Sequence, residues 1–258
     1  MADLALYQYL LIGIIFIWSG FVRSGLGFGG AVLSLPFLLL VHNQALVFLP
    51  IISVQLLIFS SITLILNNRR SQAIGREHAS TVNWPYLRYM LGIMIVPKLL
   101  GVFGLITLPA ATLSIIIFSI VSVYAISYIA NKPFKSNSKF IDAVFLIVGA
   151  YISGTSLIGA PLIIAVAAQH VAREQLRDTL FALWFILVGI KLAAFIYAGI
   201  DLQLIHHIWL LPCAWLGHLI GLRFHKRMLS AETPMFFRIL GCTLLMISGF
   251  GLWQALNS

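Results

Sequence analysis

Three cations, Arg23, Lys98 and Lys191, stand within apolar stretches of this sequence, and no acid stands with them. A charge at membrane depth is costly and marks function more often than structure. The seven acids are Asp3, Glu77, Asp142, Glu174, Asp178, Asp201 and Glu232, and none is central in an apolar segment. A cation carrier supplies anionic oxygen ligands. This chain offers cations, hydroxyls and glycine amides instead, so the chemistry fits an anionic cargo. The bland alternatives differ by residue. Lys191 is expected to snorkel toward the outer interface on its long stem. Arg23 can equally occupy a cytoplasmic turn between two ordinary spans. Lys98 is better placed for a site, and Gln55 is a polar residue that could line a cavity. No carboxylate relay is visible, so proton coupling would run through His218, His42, His170 or the cargo itself.

The glycine amides lie in two matched runs, Ser24–Gly30 (SGLGFGG) and Ser153–Pro161 (SGTSLIGAP). At one constant offset Phe16 matches Phe145, Gly20 matches Gly149, and Ser24-Gly25 matches Ser153-Gly154. The same offset matches Gly30-Ala31 with Gly159-Ala160 and Leu33 with Leu162. A glycine-rich interruption frees backbone N–H groups, which persist in hydrocarbon only where protein or a water-filled cavity satisfies them. Close helix packing is the competing role for such glycines. Both half-helices would begin directly after their glycines, where free N–H donors and the helix dipole favour anions. The expected binding set is Arg23, Ser24, Gly25, Gly29 and Gly30 with Ser153, Gly154, Gly159 and Ala160. Lys98 and His218 flank it as a matched pair.

These residues must be positioned by membrane helices. The chain of 258 residues is 61% hydrophobic and 9% charged, with a mean hydropathy of +1.03. A soluble domain needs a more charged surface, so the class is an all-α polytopic membrane protein in a lipid bilayer. The net charge of +9 falls in clusters between apolar segments, not in one nucleic-acid-binding patch. Cys213 and Cys242 show neither a disulfide framework nor metal-ligand spacing, and no cofactor motif or nucleophile–base pair is present. Because the N-terminus lacks a basic stretch and a clear cleavage site, the first segment is kept in the mature chain.

Apolar segments are expected at 5–22, 29–41, 46–66, 84–104 and 109–130, then at 140–156, 159–169, 177–199, 203–222 and 234–256. The stubs at 29–41 and 159–169 are too short to cross a hydrocarbon core of about 30 Å. Residues 131–139 read as a linker between a first repeat, 1–130, and a second, 140–258. A third-element match, Leu91, Leu99 and Gly101 with Leu211, Leu219 and Gly221, places Lys98 opposite His218. Putting Arg69–Arg76, Lys132–Lys139, Arg173/Arg177 and Arg223–Arg227 in the cytoplasm makes each copy a broken-helix hairpin plus three crossings. The copies are then oppositely oriented and both termini are external. Inverted repeats with broken helices at mid-membrane belong to secondary transporters.

SGLGFGGAVLSLP and SGTSLIGAPLIIA resemble the twin motifs of the sulfite exporter TauE/SafE family. The resemblance extends to PKLLGVFG, LGHLIGLRF and TPMFFRILG. It implies a bacterial inner-membrane permease for sulfite or an organosulfonate such as sulfoacetate. In the second motif Thr155-Ser156-Leu157-Ile158 replaces a more glycine-rich run. The expected function is therefore alternating-access transport of a small anion. An anion channel with the same site is the rival reading, and a membrane-embedded enzyme is disfavoured. A second copy of the chain is admitted as a partner.

Overall fold

The computed structural model describes residues 4–26, 30–73, 81–132, 134–136, 138–230 and 234–257. Gly29, Arg76, Asp3, Glu77 and Glu232, named above, lie outside the described residues. The described chain is helical: α1 (Leu6–Leu26), α2 (Gly30–Val41), α3 (Ala45–Ala73), α4 (Trp84–Thr107), α5 (Ala110–Ile129), α6 (Lys139–Ser156), α7 (Ala160–His170), α8 (Arg173–Tyr197), α9 (His207–Ser230) and α10 (Pro234–Leu256). A short 3-10 turn, Leu204–His206, leads into α9. Eight of these helices are long and apolar enough to cross a membrane, whereas α2 and α7 are short. At 1.5 Å per residue, α2 reaches only roughly 18 Å.

Each short helix folds back along the helix before it. Gln8, near the start of α1, donates to the carbonyl of Val41 at the end of α2 (2.8 Å). Gly30 at the start of α2 lies against Ser19 and Arg23 of α1. In the second hairpin the side chains of Asp142 and His170 meet at 2.9 Å, joining the start of α6 to the end of α7. Gly159 rests on Gly149 and Ser153 of α6.

The two hairpins open at different ends of the bundle. Beside the first open end stand the start of α5, where Ser114 donates to Asn43, and the start of α9. Trp209 there meets the ring of Tyr9 edge-on at 5.8 Å. Beside the second stand the end of α3 and the starts of α4 and α8. Asn67 donates to Asp178 (2.7 Å), the N–H of Asn83 donates to Thr179 (2.9 Å), and Tyr86 stacks on His170.

Packing follows from small residues, because lipid gives apolar side chains no reason to prefer protein. A Cβ on Gly217 of α9 would overlap the carbonyl of Ile17, and one on Gly20 of α1 would overlap that of Ala214. Gly101 of α4 approaches the carbonyl of Tyr151, and Gly154 of α6 approaches that of Lys98, in the same way. So α1 packs on α9 and α6 on α4. Outward faces stay apolar: Leu99, Leu100 and Phe103 of α4 are exposed while Met94, Lys98 and Gly101 turn inward. That is the spacing of one helical face.

Two expectations change at this level. Ser24, Gly25, Ser153 and Gly154 are helical, and the second interruption begins only after Ser156. Gly154 is a packing glycine against Gly101, not part of the break. Lys191 does not reach an interface: it is fully buried, and its ammonium has no hydrogen-bond partner. It sits 5.6 Å from the Phe195 ring. It shares the buried face of α8 with Leu187, Val188 and Phe195, which leaves the stem no route outward.

Candidate functional site

The starts of α2 and α7 line one cavity of about 40 Å³, together with residues from α1, α3, α6 and α8. That is room for about three water-sized groups. Gly30, Ala31 and Val32 come from the first turn of α2, and Ala160 is the first residue of α7. First-turn N–H groups have no acceptor within their own helix. Gly159, the N-cap of α7, offers no side-chain cap in exchange.

Arg23 supplies the cavity's positive charge. It is held in the last turn of α1, is 8% exposed, and lies with its guanidinium 3.7 Å from the centre of the Phe59 ring of α3. Stacking on an aromatic face compensates part of a guanidinium's lost hydration. Its Nε and one terminal nitrogen have no hydrogen-bond partner. This burial excludes the cytoplasmic-turn reading of Arg23. Gln55, one turn of α3 before Phe59, also lines the cavity, is 2% exposed, and has an unpartnered amide nitrogen. Three buried donor atoms, two from Arg23 and one from Gln55, therefore lack acceptors. A buried unmade donor costs about 1–3 kcal/mol, and more when charged.

The remaining polar residues form a layer behind the cavity. Lys98 of α4 donates to the carbonyl (2.9 Å) and hydroxyl (3.0 Å) of Ser153, and Ser153 itself lines the cavity. His218 of α9 is hydrogen-bonded through Nδ1 to the hydroxyl of Ser24. The two contacts are equivalent: a third-element cation or imidazole binds the serine at the other copy's break. Lys98 and His218 thus hold the breaks in place and are not among the cavity-lining residues. Gly25, Gly154 and Gly159 likewise sit in the packed backbone around it. Of the expected set, the cavity gathers Arg23, Gly30, Ser153 and Ala160.

Several cavity residues escaped sequence reading. Ser19, Ile52, Phe181 and Trp184 carry no chemical motif, yet the offset that aligns Ser24 with Ser153 also aligns Ile52 with Phe181 and Gln55 with Trp184. Extending the repeat past the glycines would have paired Trp184 with Gln55 and Phe181 with Ile52, though not found Ser19. Leu157 lines the cavity with its backbone at φ 61°, ψ 8°. That conformation costs a residue with a Cβ roughly 1–2 kcal/mol, and no local pattern announces it.

The model of one family, described as "Sulfite exporter TauE/SafE", matches residues 11–252. The chain belongs to the sulfite exporter TauE/SafE family. Membership makes it a multi-pass membrane transport protein for sulfur anions, and the match takes in every residue of the cavity. No curated protein and no solved structure matches the chain.

Proposed function

We propose that this member of the TauE/SafE family is a secondary transporter that holds a small anion, sulfite or an organosulfonate such as sulfoacetate, in the cavity between the two helix breaks. One observation carries the reading: buried side-chain donors of Arg23 and Gln55 meet there without acceptors. Arg23, Gln55 and the first turns of α2 and α7 face a cavity to which no carboxylate contributes. An oxyanion supplies several acceptors and a charge opposite to that of Arg23. The half-helix dipoles favour the same sign.

The movement is alternating access by two inverted copies of one transmembrane domain, 1–130 and 140–258. Support comes from the hairpins' opposite open ends and from the equivalent Lys98–Ser153 and His218–Ser24 contacts. Each hairpin is clamped to the third helix of the other copy, so rocking one copy carries elements of both. The membrane is the bacterial inner membrane, with the termini periplasmic. The family resemblance and the placement of the basic loops support this orientation.

The experiment is counterflow of labelled sulfite in proteoliposomes, alongside conductance in planar bilayers. A transporter exchanges labelled for unlabelled sulfite. Conductance without counterflow would make the protein a channel. Arg23→Met should weaken sulfite binding by roughly ten- to hundredfold, since a charged hydrogen bond contributes about 1.5–3 kcal/mol. Unchanged affinity in a folded Arg23→Met protein would move the site away from this cavity.

A further inference from the structure

The cavity wall is chemically mixed. Arg23, Gln55, Ser19 and Ser153 bring polar atoms to it, while Leu157, Ile52, Leu56, Phe181, Trp184 and Val188 bring hydrocarbon. An anion covered on all sides by its own oxygens would lose hydration against the hydrocarbon lining with nothing in return. An anion that is polar at one end and apolar at the other satisfies both kinds of lining residue.

Leu157 occupies a special position in the apolar lining. It closes α6 in the left-handed conformation, its N–H bonded to the carbonyl of Ser153 (3.2 Å). A helix end of this kind ordinarily carries glycine, which has no Cβ to crowd the backbone. A leucine here accepts strain and places a branched side chain, 8% exposed, in the cavity wall directly before α7 begins. The side chain is therefore the part of this residue with a use, and glycine would both relieve the backbone and widen the cavity.

Resting on the anion-transport reading of the same cavity, we infer that Leu157 is the specificity-determining residue. The cargo is a sulfonate with a short alkyl tail, the head at Arg23 and Gln55 and the tail against Leu157, Phe181 and Trp184. Leu157 sets the longest tail admitted. Inorganic sulfite is then a lesser substrate, lacking the apolar part.

The test uses wild-type protein, Leu157→Gly and Leu157→Ala in proteoliposomes. It measures uptake of sulfite, methanesulfonate, ethanesulfonate and butanesulfonate. Wild type should carry methanesulfonate and ethanesulfonate better than sulfite, and reject butanesulfonate by roughly tenfold or more, the scale on which pockets reject added methylenes. Leu157→Gly should abolish most of that rejection, with Leu157→Ala in between. Equal uptake of butanesulfonate and methanesulfonate by wild type overturns the inference without any variant. So does a wild-type ratio that persists in both variants, or in the alanine variant alone if the glycine variant does not fold. Sulfite uptake with no alkanesulfonate uptake removes this inference and leaves the anion transporter standing. Uptake of none of the four anions by folded wild type removes both.

Discussion

At the scale of single residues, the difference between touching cargo and holding the site decides what a substitution should do. Lys98 is fully buried and spends its donors on Ser153, which borders the cavity. Lys98→Met would leave the Ser153 carbonyl and hydroxyl without that partner. We expect a stability loss of about 1–3 kcal/mol, visible as earlier thermal unfolding in detergent, together with reduced counterflow. Wild-type melting and transport in Lys98→Met would make the contact dispensable. His218 holds Ser24 in the matching place through a single hydrogen bond. Glutamine can donate or accept there, so His218→Gln should retain transport where His218→Leu does not. Equal loss in the two variants would mean that ring shape, between Phe59 and Trp215, matters more than the hydrogen bond.

At the scale of elements, glycines separate into two groups by what surrounds them. Gly217 lets α9 lie on α1, and any Cβ there meets backbone that cannot move aside. Gly217→Val should destabilise by about 1–3 kcal/mol or more and lower the yield of folded protein. Gly92 in α4 faces open space. Gly92→Ala should leave folding intact or improve it by up to about 1 kcal/mol, as alanine is the better helix former. Size-exclusion profiles and melting curves of the two variants check the contrast, and a well-folded Gly217→Val would refute the packing role. Gly159→Val belongs with the first group. Its Cβ would overlap the carbonyl of Gly149, so lost transport in that variant would report a broken hairpin before it reported lost anion contact.

For the whole molecule, charge and hairpin geometry point the same way. Arg69, Lys132, Lys135, Lys139, Arg173, Arg177 and Arg223 all belong to the end at which the second hairpin opens. The other end carries His42, His206 and Asp201 but, among the described residues, no lysine or arginine. Cytoplasmic loops of membrane proteins collect lysine and arginine. On a background lacking Cys213 and Cys242, Tyr197→Cys, at 96% exposure, should react with an impermeant maleimide in intact cells. Lys135→Cys should react only after the membrane is opened. Reversed labelling would invert the molecule, and labelling of both from one side would break the crossing pattern of α3, α4, α5, α8, α9 and α10.

By itself the sequence determined the class, the number and order of the helices, and the two glycine interruptions. Those properties depend on local composition: twenty apolar residues span a bilayer whatever their neighbours do, and a repeat survives as a constant offset. It also pointed to an anionic preference, because acids missing from the middle of the apolar segments are missing from the middle of any fold those segments adopt. Tertiary structure decided which cations border the cavity. Arg23 lines the cavity because α1 continues helical through Ser24 and Gly25 and turns the side chain under Phe59. Lys98 is one shell removed because Gly101 and Gly154 bring α4 and α6 close enough for Ser153 to capture it. Lys191 is interior because it shares the buried face of α8 with Leu187, Val188 and Phe195. Each outcome depends on which residues from distant parts of the chain meet, and for buried charges the neighbours, not the residue type, set the energy.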